Sequence, residues 1–226
     1  MTIRRQGYRY LNLVTGVFVT CLITANIIAV KLIAVAGIVV PAAVIIFPLS
    51  YIFGDILTEV YGYARARQVI WIGFGCNALA VLAFWLAGLL PSAPFWKGQA
   101  AYQAILGYTP RLLAASFAAY LVGEFLNSFV LAKMKLMTRG RWLWSRTISS
   151  TLVGQAADSL VFIGLAFVGS VPEGELFRLI VTQWLLKSAY EVLMTPVTYL
   201  VVGYLKRAEQ EDYYDYETDF APFKLT

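Results

Sequence analysis

Six ionisable side chains lie in stretches that are otherwise apolar: Asp55, Glu59, Glu124, Asp158, Glu191 and Lys187. A carboxylate can accept two neighbouring N–H donors, balance a cation or exchange a proton. Placed at the centre of a bilayer, each such group costs on the order of 2.5–3.5 kcal/mol on insertion scales. They are therefore expected to face one another, a water-filled cavity or a bound solute. Five acids meet one base, so the surplus must be protonated, solvated or matched from outside. Lys187 and Glu191 are four residues apart and can neutralise each other along a helix.

Spacing groups these residues into stripes. Tyr51, Asp55 and Glu59 recur at i, i+4 and i+8. Tyr120, Glu124, Asn127 and Ser128 share a second helical face, Thr151, Gln155, Asp158 and Ser159 a third, and Gln183, Lys187, Tyr190 and Glu191 a fourth. Counted from the basic residues at the helix ends at 1.5 Å per residue, Asp55, Glu124, Asp158 and Glu191 fall near the midplane of a ~30 Å core. Four helices with polar stripes at one depth would line a central cavity. The alternative is that the charges pair and only hold helices together. Tyr51–Val60 and Tyr120–Phe129 also repeat Tyr, Gly, an acid and Leu in register, as parallel transporter repeats do.

The elements that must position these stripes are membrane helices. Of the 226 residues, 60% are hydrophobic and 14% charged, against roughly 25% charge in soluble domains. Apolar runs predict an all-α integral membrane protein, a six-transmembrane-helix bundle with spans at about 11–30, 42–63, 68–90, 111–132, 148–169 and 179–204. Residues 1–208 form one transmembrane domain in this reading, and 209–226 an acidic cytoplasmic tail. The Arg-rich start and the Ala34-Val35-Ala36 sequence resemble a signal peptide, but the apolar stretch is too long, so a retained first helix is expected.

Thirteen of the eighteen Lys and Arg residues, among them Arg4, Arg5, Arg65, Arg67, Lys133, Arg146 and Lys206, fall on one side of this bundle. Four, namely Lys31, Lys97, Arg111 and Arg178, fall on the other. The positive-inside rule then places both termini in the cytoplasm of a multi-pass inner (plasma) membrane protein. The net charge of +5 sits at helix ends and does not indicate nucleic acid. The tail sequence EQEDYYDYETD reads as a solvated, weakly ordered segment. Pro48 and Pro196 remove backbone hydrogen bonds inside predicted helices and are read as kinks or breaks.

Several chemistries are excluded. There is no histidine, hence no His-ligated metal and no Ser–His or Cys–His nucleophile. Cys21 and Cys76 lie in apolar runs and read as small packing residues. No Walker A, dinucleotide or zinc motif is present. An intramembrane aspartyl protease would use Asp55 and Asp158, but residue 52 is Ile where the GxGD element has Gly. An enzyme and a cofactor are therefore not expected.

Phe47-Pro48 through Asp55, Thr58, Gly62, Ala64 and Arg65, then Ala115-Ser116-Phe117 with Tyr120 and Gly123, resemble the queuosine precursor transporter family of small, vitamin-uptake-like six-helix proteins. The block Ser150–Ser159 and Lys187 with Pro196 strengthen the resemblance. It implies uptake of the 7-deazaguanines preQ0 and preQ1. A guanine-like ring presents adjacent N–H donors that suit a carboxylate. Asp158 or Glu191 is expected to hold that edge, with Asp55 and Glu124 nearby and Lys187 among them. Gln155, Asn127 or Asn77 would meet the carbonyl edge, and Phe47, Tyr51, Phe162, Trp184 or Tyr190 would stack on the ring. The implied partners are this small deazapurine and the lipid bilayer, with a homo-oligomer allowed. Two other readings stand beside it: a solute-binding subunit served by a separate ATPase module, and a structural membrane protein with paired charges.

Overall fold

Long apolar runs without internal breakers form helices, because in hydrocarbon every backbone N–H and C=O must be satisfied within the segment. The computed structural model describes residues 8–35, 38–107, 110–169 and 172–224. Its helices are α1 (Leu11–Ile28), α2 (Phe47–Tyr61), α3 (Tyr63–Leu89), α4 (Gln99–Leu106), α5 (Pro110–Met137), α6 (Leu143–Phe167) and α7 (Glu173–Glu209). Between α1 and α2 lie an antiparallel pair, β1 (Leu32–Val35) and β2 (Ile38–Pro41), and a single 3-10 turn. Ala36 of the signal-like sequence, and Arg4 and Arg5 of the charge count, lie outside the described residues.

Exposure is inverted relative to a water-soluble fold. Leu79, Leu193 and Leu200 are exposed, whereas Glu59, Glu124, Lys135 and Arg146 are buried. Among the described residues, α1, α3, the stretch carrying α5, α6 and α7 are long and apolar enough to cross a membrane. The molecule is thus an all-helical, multi-pass membrane protein. The second predicted span is shorter than expected. Residues 42–45 form the 3-10 turn, and α2 begins only at Phe47, with Pro48 in its first turn. There the missing proline N–H would be unsatisfied anyway, so Pro48 starts a helix rather than breaking one. Hydropathy cannot separate an apolar 3-10 turn from a helix.

α2 is the central element. It packs against α1, α3, α5 and α7, and from Ser50 to Tyr61 nearly every residue is buried. α5 and α6 form the closest helix pair. A Cβ on Gly154 would lie 2.9 Å from the Gly123 carbonyl oxygen, and one on Gly123 would lie 2.9 Å from Asp158 Cβ. Glycine at both positions lets the backbones approach, as small residues do at membrane helix crossings. α7 runs continuously through Pro196 for 37 residues, about 55 Å at 1.5 Å per residue, and so extends beyond a bilayer core.

The acidic tail is not a loose, solvated segment. Residues 211–224 fold back as a strap across one end of the bundle. Asp215 is buried and accepts the backbone N–H of Tyr63, the first residue of α3, at 3.1 Å on each oxygen. A carboxylate there satisfies an orphan donor and complements the helix dipole. Gly62, with φ of 84°, leaves the space that the Tyr213 ring occupies. Arg67 donates to the carbonyls of Asp219 and Ala221, and Trp71 to that of Pro222. Composition predicts solubility for such a segment, but these partners lie more than a hundred residues away in sequence. The backbone N–H groups of Arg9 and Tyr10 bond Glu209, so the described N-terminal residues share this end with the strap.

Candidate functional site

Buried charge falls into two groups. At the strap end, Glu59 is the hub. Arg146 grips it in bidentate fashion, Nε to Oε2 at 2.8 Å and Nη2 to Oε1 at 2.7 Å. Lys206 Nζ lies 2.5 Å and Lys135 Nζ 3.5 Å from Oε1. Both lysines also bind Asp212 of the strap, at 2.7 and 2.6 Å. Burial works against the charge on Asp212, but its bonds to Lys135 and Lys206 hold its carboxyl below the usual carboxylate range. Glu59 therefore does not belong with the central acids. The basic residues at these helix ends were the signal for this.

The second group lies one or more turns deeper. Asn127 donates to Asp55 at 2.7 Å. Glu124 and Glu191 stand near Asp55. Lys187 does not pair along its own helix with Glu191; it crosses to Asp158 on α6 at 2.5 Å. Both side chains of α7 face α6, where Glu191 stands beside Thr151 and Gln155. Among the described residues, Glu124 Oε2, Asn127 Oδ1, Ser128 Oγ, Thr151 Oγ1, Gln155 Oε1, Ser159 Oγ, Ser188 Oγ and both oxygens of Glu191 are buried without a hydrogen-bond partner. Each such group costs roughly 1–3 kcal/mol if nothing meets it. The set is rich in acceptors, so it suits a donor-rich occupant.

A small cavity of about 30 Å³ adjoins this group, lined by Leu22, Asn26, Ser50, Tyr51, Asn77, Ser116, Tyr120, Glu124 and Asp158. That is room for about two waters. Asn26 Nδ2 donates to Asn77 Oδ1 at 3.0 Å across α1 and α3. The internal repeat acquires a structural meaning here. Tyr51 and Tyr120 both line the cavity. A Cβ on Gly54 would lie 2.9 Å from Glu124 Oε2, and one on Gly123 would lie 3.2 Å from the Tyr51 hydroxyl. Each repeat's glycine makes room for a cavity-lining side chain of the other.

The fold thus brings together Asp55, Glu124, Asn127, Gln155, Asp158, Lys187 and Glu191, with Tyr51 and Asn77 at the cavity. It does not bring all the aromatic residues. Phe162 sits one turn beyond Asp158 and packs edge-on against Phe167 at 6.1 Å. Trp184 donates its indole N–H to the Leu152 carbonyl on an exposed face of α6. Tyr190 is half-buried and does not line the cavity, since its neighbour Glu191 takes the inward direction. The Phe47 side chain lies outside the described residues. Asn26, Ser50, Ser116 and Ser188 were not expected at the site. Asn26, an amide inside an apolar first span, carried a signal in sequence, and Ser50 and Ser116 lie within the motifs of the resemblance.

Residues 41–201 match a family described as "putative vitamin uptake transporter". A "probable queuosine precursor transporter" of Bacillus subtilis is 28% identical over 180 residues, covering 78% of each chain. The "queuosine precursor transporter" of Escherichia coli is 29% identical over 121 residues, 54% of this chain and 52% of its own length. A Haemophilus influenzae relative is 27% identical over 124 residues, 55% of this chain and 50% of its own. No solved structure matches the chain.

Proposed function

From the premise that the chain belongs to the vitamin uptake transporter family, with queuosine precursor transporters among its relatives, we propose that it takes up 7-deazaguanine precursors of queuosine, preQ0 and preQ1. Transport, not catalysis, is the family's activity. The observation that carries the solute class is the acceptor surplus around Glu124 and Glu191. The deazaguanine edge offers adjacent N–H donors, and one carboxylate can accept two of them in a charge-assisted pair. Glu191, with both oxygens unpartnered, is the best-placed acceptor. Asp158 is engaged by Lys187 and holds the solute less directly.

Gln155 and Asn127 meet the carbonyl side in this reading, and Tyr51 and Tyr120 flank the ring. A bicyclic ring exceeds a 30 Å³ cavity, so binding widens the space between α2, α5 and α6. In this reading the bundle has six spans, α2 being the short central one. The charge bias puts both ends and the strap in the cytoplasm of the inner membrane.

The test is uptake of labelled preQ1 by cells unable to make it, read as queuosine in tRNA. Restoration of the modified nucleoside by this protein is the expected result. Absence of rescue by a correctly inserted protein would remove the deazaguanine assignment.

A further inference from the structure

The Glu59 group has a position as well as a composition. α2, α5 and α7 approach the strap end with their C-termini, and α6 leaves it with its N-terminus. Glu59 lies four residues past Asp55, Lys135 eight past Asn127 and Lys206 fifteen past Glu191, while Arg146 lies nine before Gln155. All four are displaced from the central acids toward the same end. The cavity is lined from the other half: Asn26 late in α1, Ser50 early in α2 and Ser116 early in α5. A solute there faces a plug of paired charge on one side.

The strap covers that plug. Asp212 joins Lys135 and Lys206, and Lys135 Nζ also donates to the carbonyls of Glu59 and Tyr213. Beyond it, the strap is held by side-chain grips on an irregular backbone: Tyr63, Arg67 and Trp71 bind carbonyls between Asp219 and Pro222, and Lys133 lies 3.8 Å from the Phe220 ring centroid. Such grips can release without unwinding a helix.

We propose that the Glu59 ion network and the strap over it form the inner gate of the transport path, and that the strap lifts from α3 to release solute into the cytoplasm. The proposal rests on the transport reading. It makes Glu59 and Asp212 gate residues, not solute ligands.

Two experiments test it, both in a Cys21→Ser, Cys76→Ser background. In the first, Ser116→Cys reports access to the cavity by a membrane-impermeant thiol reagent added from the strap side. Asp212→Asn, a change at the exposed rim of the network, is expected to raise labelling at least fivefold. In the second, Trp71→Cys and Phe223→Cys, whose native rings lie 5.8 Å apart, are joined by a short reducible cross-linker. Uptake of labelled preQ1 is expected to fall at least tenfold when joined and to return on reduction. Labelling unchanged by Asp212→Asn overturns the gate whatever the solute is. Uptake that proceeds equally fast with the strap pinned also overturns it. Increased labelling with no preQ1 uptake before cross-linking supports the gate and counts against the solute instead.

Discussion

At the strap end of the bundle, a buried carboxylate meets three bases. A few turns deeper, four acids stand with one lysine, which pairs with Asp158, while Glu124 Oε2 and both oxygens of Glu191 have no hydrogen-bond partner among the described residues. Glu59, Lys135 and Arg146 are as deeply buried as Glu124 and Glu191, so solvent does not explain the contrast. A buried ion pair with good geometry recovers much of its desolvation cost through mutual attraction. An unpaired carboxylate recovers none of it until a proton or donor arrives. The paired region therefore holds the strap end together, and the unpaired region is where the proposed solute would be met.

That contrast breaks most sharply at Glu59. Glu59→Gln leaves Arg146 and two lysines facing one another without their anion, and is expected to cost about 3–5 kcal/mol of stability. The loss should appear as a marked fall in melting temperature or in folded protein extracted in detergent. Glu191→Gln is expected to behave in the opposite sense. It removes a carboxyl that has no ionic partner among the described residues, so stability should hold or rise, while uptake falls at least tenfold. Parallel stability and uptake measurements on the two variants decide this, and equal destabilisation by both would erase the distinction.

A smaller effect concerns acid. Lys135 and Lys206 hold the Asp212 carboxyl below its ordinary value of 3.8, and the Ala221 N–H and Lys224 do the same for Asp219. A depressed folded value means that the strap's contribution is complete above pH ~4 and is lost only as pH falls through the lower, folded values. Hydrogen exchange of residues 212–221 should therefore stay constant from neutral pH to about 4, once corrected for intrinsic rates, and then accelerate. Smallest of all, Trp184→Phe is expected to leave uptake within about twofold of the parent, because this indole bonds the Leu152 carbonyl at the surface and not the cavity. A tenfold loss would return Trp184 to the site.

Much of the central site was legible from spacing. Tyr51 and Asp55, Glu124 and Asn127, and Gln155 and Asp158 share faces because helical periodicity fixes which side chains point together. The same arithmetic grouped Glu59 with Asp55, since both lie on one stripe. It also paired Lys187 with Glu191 at i, i+4, while Phe162 and Trp184 were expected at the site only as rings to stack on the flat solute that the resemblance implies. Periodicity has no information about the facing helix. Lys187 crosses to Asp158, and Glu59 is met by Arg146, because of how α6 and α7 pack against α2 and α5.

Local composition misjudged the tail for the same reason. EQEDYYDYETD has little to bury by itself, but Tyr63, Arg67, Trp71, Lys133 and Lys135 offer it a surface that exists only after the bundle has formed. That this chain is a membrane-spanning helical protein with more buried acid than base could be read from its residues, because hydropathy and charge count are properties of segments. Tertiary structure alone decided which acids are neutralised and which are left waiting. Pairing is a property of distances between helices, and those distances are set by close approaches such as that of Gly123 to Gly154.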